Sequence, residues 1–253
     1  MQTRTKRLAM AAGGATLLGI LLCGGGFVAL NEPAPVGVSD AAADALADKM
    51  IDAVDREAWA RTGAVNWTYA DRYTHLWDRD RHFVQVQKGG WQALVDLNTL
   101  KGVASVDGVA LAGAARDEAV QEAYAAWAND SFWLCAMNKA FDPGTSRSRV
   151  AQPDGSESLL VQYSSGGVTP GDAYLWHLDE NGRPESWQMW VSILPIGGAA
   201  ATWEGWEQLS TGAWVSTQHK LGPMDIQVTH LQGAESLSEL SPGPDPFAPL
   251  LAL

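Results

Sequence analysis

The 253-residue chain is poor in cysteine and in basic residues, and it lacks the motifs that mark the common active sites. Its two cysteines are Cys23 and Cys135, and Cys23 lies in an apolar N-terminal run, so no disulfide can form within the folded part. No Cys-x-x-Cys or paired Cys/His spacing points to zinc. Cys135, in Phe132-Trp133-Leu134-Cys135-Ala136, reads as a small buried hydrophobe rather than a reactive thiol. Seventeen Lys and Arg stand against 29 Asp and Glu, for a net charge of −12. All charge before residue 31 is positive, so the remainder carries −15. A surface that acidic repels phosphate backbones and excludes nucleic acid as a partner. Gly-x-Ser-x-Gly, His-Glu-x-x-His, a P-loop and Gly-x-Gly-x-x-Gly are all missing, and no cofactor is implied.

What is present begins with an export pattern. Arg4, Lys6 and Arg7 precede Leu8 to Leu30, a run without a charged residue. A basic start followed by an apolar stretch is the pattern of a secretory signal. As a helix at about 1.5 Å per residue, the run would also reach across a ~30 Å hydrocarbon core. Three readings stay open: a retained signal-anchor, a signal cleaved after Gly24 or Gly26, or lipidation at Cys23. For the last, Ile20-Leu21-Leu22-Cys23-Gly24 is similar to a bacterial lipobox, with Leu22 where Gly, Ala or Ser is usual. Each reading puts the domain in the cell envelope, membrane-anchored or periplasmic. Residues 31–38 then read as a short extended linker, 39–240 as one β-rich domain, and 241–253 as a Pro-rich disordered tail.

Within the domain, Ser39 or Asp40 can cap a helix running to about Ala60, with Leu46, Met50 and Val54 on one stripe. The period then changes to two: Val65, Trp67 and Tyr69; Tyr73, His75 and Trp77; Val84 and Val86; Ala93, Val95 and Leu97. Gly89-Gly90 and Asp107-Gly108 supply turns between these runs. A second helix is expected over about 115–129. Strands follow at about 159–164, 173–179, 186–194, 201–209, 213–220 and 224–231, separated by Asp154-Gly155, Asn181-Gly182 and Gly222-Pro223. Short hairpins at this spacing suit an antiparallel meander of mainly β, α+β class and do not suit parallel βαβ units.

Twelve tryptophans are the most unusual feature of the composition. A fully buried aromatic removes about 150–250 Å² from water, worth roughly 4–6 kcal/mol before entropy, so most of the twelve must be covered. Trp187 shares a face with Met189, Val191 and Ile193, and Trp176 one with Tyr174 and Leu178; these read as core. Trp190 instead falls on the face of Ser186, Gln188 and Ser192, and Trp214 on that of Ser216 and Gln218. A Trp on an otherwise polar face implies cover by a helix, a loop or a ligand. Trp190 and Trp214 are therefore candidate ligand-contacting residues, and Trp77 and Trp67 are named as candidates beside them.

The titratable side chains form no nucleophile–base pair. His75, Asp78, Asp80 and His82 are spaced like metal ligands, but in a continuous strand His75 points away from the others, and Arg79 and Arg81 favour ion pairing in a charged hairpin. Glu204 and Glu207 fall on opposite faces of a strand unless Gly205 makes a bulge. His177, His219 and His230 read as isolated histidines.

Ser164-Ser165-Gly-Gly-Val-Thr-Pro-Gly-Asp172-Ala-Tyr174, Asn181-Gly182-Arg-Pro184, Trp187-Gln-Met-Trp190-Val and His75-Leu-Trp77-Asp78 resemble segments of uncharacterised bacterial envelope proteins. Those in turn are similar to the periplasmic lipoprotein-localisation-factor (lipoprotein carrier-like) superfamily. The resemblance covers about residues 40–235 by element order. It implies a strongly curved, incompletely closed antiparallel β-barrel, covered by two or more helices, whose concave face holds an acyl chain or another lipid. The expected function is an exported binding domain for a lipid or other hydrophobic ligand, acting as carrier or scaffold. The rivals are an envelope protein–protein interaction module with an aromatic groove, and an enzyme on an envelope substrate.

Overall fold

The computed structural model describes residues 31–165 and 171–253. The expected export segment, with Cys23, lies outside the described residues. Asp40 caps α1 (Ala41–Asp52) by accepting hydrogen bonds from the amides of Ala42 and Ala43. The single helix expected to reach Ala60 is in fact two. Asp55 adopts a left-handed backbone (φ 62°) and its carboxylate caps α2 (Arg56–Arg61), so the chain turns where the stripe would have continued.

Five strands of six residues follow: β1 (Ala64–Tyr69), β2 (Tyr73–Asp78), β3 (Phe83–Lys88), β4 (Trp91–Asp96) and β5 (Lys101–Val106). The two-residue β6 (Val109–Ala110) leads into the long α3 (Gly113–Cys135). The second half contains β7 (Thr145–Ala151), β8 (Glu157–Tyr163), β9 (Ala173–Leu178), β10 (Pro184–Trp190), β11 (Ala199–Thr202), β12 (Glu204–Gln208), β13 (Trp214–Leu221) and β14 (Met224–Ala234), then the one-turn α4 (Leu237–Leu240). Neighbouring strands run antiparallel in the order β6-β5-β4-β3-β2-β1-β14-β13-β11-β10-β9-β8-β7, with β12 on β13. Pairing of β1 with β14 joins the halves, and β6 and β7 remain as the two ends. The result is a strongly curled, incompletely closed antiparallel barrel of mainly β, α+β class.

Period-two alternation decides which side of each strand meets the helices. Trp67, His75, Trp77, Val84, Val86, Ala93 and Val95 are buried on the inner face, where α3 lies. Gly102 on β5 lets the helix come close: a Cβ there would stand 3.0 Å from Val120 Cγ2 and 2.2 Å from the Leu94 carbonyl. α3 continues past its expected end at Asn129 because Ser131, Trp133, Leu134 and Cys135 are all buried among the sheet's side chains. β10 stops at Trp190 rather than Leu194, and 191–198 leave the sheet as a loop.

The C-terminal tail and residues 31–38 both run over the outer face. The tail 241–253, expected to be disordered, instead carries a short 3-10 helix, Ala248–Ala252, and docks. Phe247 (0% exposed) and Leu250 pack on Leu76, Phe83, Leu94 and Val103, while Asp245 pairs with Arg81 at 2.7 Å. One aromatic and one ion pair outweigh the local preference of its prolines for extended, solvated chain. The linker 31–38 is likewise pinned as a strap. Val38 and Arg149 on β7 exchange two backbone hydrogen bonds, of 2.9 and 3.0 Å, while at the other end the Trp190 indole donates to the Glu32 carbonyl at 2.8 Å. Between those points lies a cluster of Leu160, Ala173 and Leu175, each under 5% exposed, on the face opposite the helices.

Candidate functional site

The inner face is lined by two aromatic walls on either side of α3. On the β1–β5 side, Trp67 stacks on His75 at 4.5 Å between centroids. Trp77 meets Trp59 and Trp67 at 6.4 Å and Trp127 of α3 at 5.3 Å. On the β8–β13 side, Trp187 is the hub, with Trp133, Trp176 and Trp203 packed edge-on at 4.8–5.0 Å and Tyr174 at 4.7 Å. Tyr69 packs against both walls.

The aromatic walls enclose polar chemistry. His75 Nε2 lies 2.7 Å from Asp130 Oδ2, with both side chains buried, so β2 is tied to α3 by a hydrogen-bonded pair in a low-dielectric interior. Burial and the Asp130 charge hold the Tyr69 hydroxyl well above the ordinary phenol range. Burial, then a hydrogen bond to Glu122, pushes Tyr73 up to about 12. Across the interior, His219 sits edge-to-face with Trp203 (4.6 Å) and Trp133 (5.2 Å), its Nδ1 2.9 Å from the Thr202 carbonyl. Burial lowers its pKa to about 4, so it is neutral at pH 7.

Six indole nitrogens of the interior lack acceptors. Buried Nε1 atoms of Trp67, Trp77, Trp127, Trp176, Trp187 and Trp203, and Nδ1 of His75, have no hydrogen-bond partner among the described residues. A buried donor without an acceptor costs roughly 1–3 kcal/mol, and folded proteins tolerate only a few per hundred residues. Six buried indole N–H groups of this kind lie within the packed interior between the sheet and α3.

No family model matches this chain, and no curated protein matches it in sequence. The site therefore has to be read from its own chemistry.

Of the four candidate tryptophans, Trp67 and Trp77 stand together on the inner face. Trp190 lies on the outer face under the strap, and Trp214 borders the second wall with the Arg183 guanidinium 4.6 Å above its ring. The cover expected over Trp190 is thus a segment of the chain itself, and the four do not converge on one surface. Trp133, Trp176, Trp187 and Trp203 build the second wall; burial periodicity marked Trp176 and Trp187 as core but could not show that they face Trp67 and Trp77 across a helix.

The charged hairpin resolves into ion pairs: Arg81 reaches Asp78 at 2.5 Å and Asp245 at 2.7 Å, while His75 points inward to Asp130. Glu204 lies 3.6 Å from Lys220, and Gly205 takes a left-handed backbone (φ 62°). An open cleft of about 710 Å³ gathers Asp154, Glu157, His177, Asp179, Glu180 and Glu185 at the β7–β8 and β9–β10 turns. Two of its acids serve the turns, Asp154 accepting from Ser156 and Asp179 from the amides of Asn181 and Arg183, and Glu157 pairs with Arg149. No described helix is long and apolar enough to cross a membrane.

Proposed function

We propose that this chain is an exported, membrane-tethered domain that binds a lipid or other hydrophobic ligand along the inner face of its half-barrel, as carrier or scaffold. The observation that carries the reading is the set of unpartnered indole donors on both aromatic walls. A guest with an apolar body and a few acceptor oxygens, such as an acyl ester, matches an apolar lining that presents N–H groups. The resemblance to lipoprotein carriers points the same way. Because the rings already fill the inner face, uptake proceeds by displacement of α3 from the sheet, and the His75–Asp130 pair is the polar contact that such a movement would break.

The test is native mass spectrometry of the full chain purified in mild detergent from bacterial membranes, followed by organic extraction. The expected result is a co-purifying lipid mass, released on unfolding and diminished in Trp187→Ala. A clean mass, with no uptake of added fatty acid or phospholipid, rejects the reading. The close packing of the inner rings, at 4.7–5.0 Å around Trp187, favours the alternative in that case: an envelope interaction module that uses its surface rather than its interior.

A further inference from the structure

Residues 186–203 contain no charged side chain, although 18% of the whole chain is charged. The middle of this stretch, 191–198, is the loop between β10 and β11, with sequence Val-Ser-Ile-Leu-Pro-Ile-Gly-Gly. Ile193 is 62% exposed at its tip, and Ser192 and Pro195 are exposed beside it. Phe141, 41% exposed, stands at the same end of the sheet. The register Trp190–Ala173–Gln162–Ser146 aligns the C-terminal ends of β10 and β8, and Ser164, just past β8, donates to the Gly144 carbonyl close to Phe141. A single exposed Ile would be ordinary, but an uncharged loop tip of branched apolar residues and proline is not the usual composition of a solvated turn.

The neighbour of this loop gives it a meaning. The amide of Gly197 donates to Asn31 Oδ1 at 2.8 Å, the Glu32 amide donates to the Gly197 carbonyl at 3.1 Å, and the Trp190 indole donates to the Glu32 carbonyl at 2.8 Å. Asn31 directly follows the uncharged run Leu8 to Leu30. Three hydrogen bonds therefore hold the exit of that run against this loop. An extended chain gains at most about 3.6 Å per residue, so with no free spacer the loop cannot stand far from whatever surface residue 30 leaves.

We propose that the 191–196 loop, at the end of the sheet where Phe141 also lies, dips into the outer layer of the phospholipid bilayer that holds residues 8–30. The β8–β10 end then faces the membrane, and the domain is docked rather than free on a tether. This rests on the membrane-tethered reading above. The contact is apolar burial: the domain carries −15 and its loop offers no Lys or Arg to anionic headgroups, so attraction of charge cannot supply it. The strap then sets the height of the loop above the bilayer.

The experiment uses the full chain with benzoylphenylalanine in place of Ile193 or, for comparison, of Asn181 in the turn at the far end of β9 and β10. Each protein is reconstituted with phosphatidylcholine vesicles, floated on a density gradient and irradiated. Both sites are exposed, so neither replacement disturbs the core. The expected result is flotation of both proteins, with a phospholipid adduct from position 193 and none above background from 181. Flotation without an adduct at 193 overturns the docking and leaves the tether standing; a chain that does not float overturns both.

Discussion

Acid should weaken this fold through one histidine. His219 is 1% exposed on β13, enclosed by Trp133 and Trp203, and burial lowers its pKa from 6.5 to about 4. Between those values the unfolded chain binds a proton that the folded chain refuses. Stability therefore rises with pH across this window: the contribution is complete above 6.5 and is lost as pH falls toward 4. At about 1.4 kcal/mol per pKa unit, the shift is worth about 3 kcal/mol. Urea unfolding of the full chain in mild detergent, at about pH 7 and about pH 4.5, should show most of that loss. The decisive comparison is His219→Gln, which cannot titrate; carboxylates and other histidines are common to both proteins and cancel. The stability difference between wild type and variant should move by about 2–3 kcal/mol between the two pH values. A difference that stays constant would show that His219 is not held neutral by burial, and would refute the reasoning.

Three further outcomes follow from the packing. Asp130→Ala leaves His75 without its partner in the interior and should cost about 3–5 kcal/mol, most of it recovered when both residues become Leu; a double variant as unstable as the single one would argue against the pair. Trp187→Ala removes the ring shared by Trp133, Trp176, Trp203 and Tyr174 and should cost about 3–5 kcal/mol in urea unfolding, whereas a loss below about 1 kcal/mol would mean that the wall is not packed as described. Phe247→Ala should release the tail: limited proteolysis ought to remove residues after 241 from the variant while sparing them in the wild type, and equal protection of both would contradict docking.

Much of the fold was legible because strand alternation and turn chemistry are local. Val65-x-Trp67-x-Tyr69 and Tyr73-x-His75-x-Trp77 assign their own inner faces, and Asp107-Gly108 and Asn181-Gly182 announce hairpins. The misreadings have physical causes. β7, Thr-Ser-Arg-Ser-Arg-Val-Ala, shows no apolar alternation because it is an end strand whose arginines reach Asp40, Asp44 and Glu157. The last turns of α3 run past the end expected near Asn129, where the polar face gives out, and pack Trp133, Leu134 and Cys135 into the interior. In the tail, proline content suggested disorder, and in 31–38 only an extended linker, but Phe247 and the strap's backbone hydrogen bonds find partners far away in sequence.

The candidate site divides along the same line. That most of the twelve tryptophans must be covered and that Trp190 needs a cover both followed from composition and period. That Trp190 is covered by residues 31–38, that His75 meets Asp130, and that six indoles present unanswered N–H groups to one interior were decided by the curl of the sheet around α3. Periodicity specifies which side of a strand a residue occupies. Only the closing of β1 on β14, a pairing across the whole domain, specifies what stands opposite.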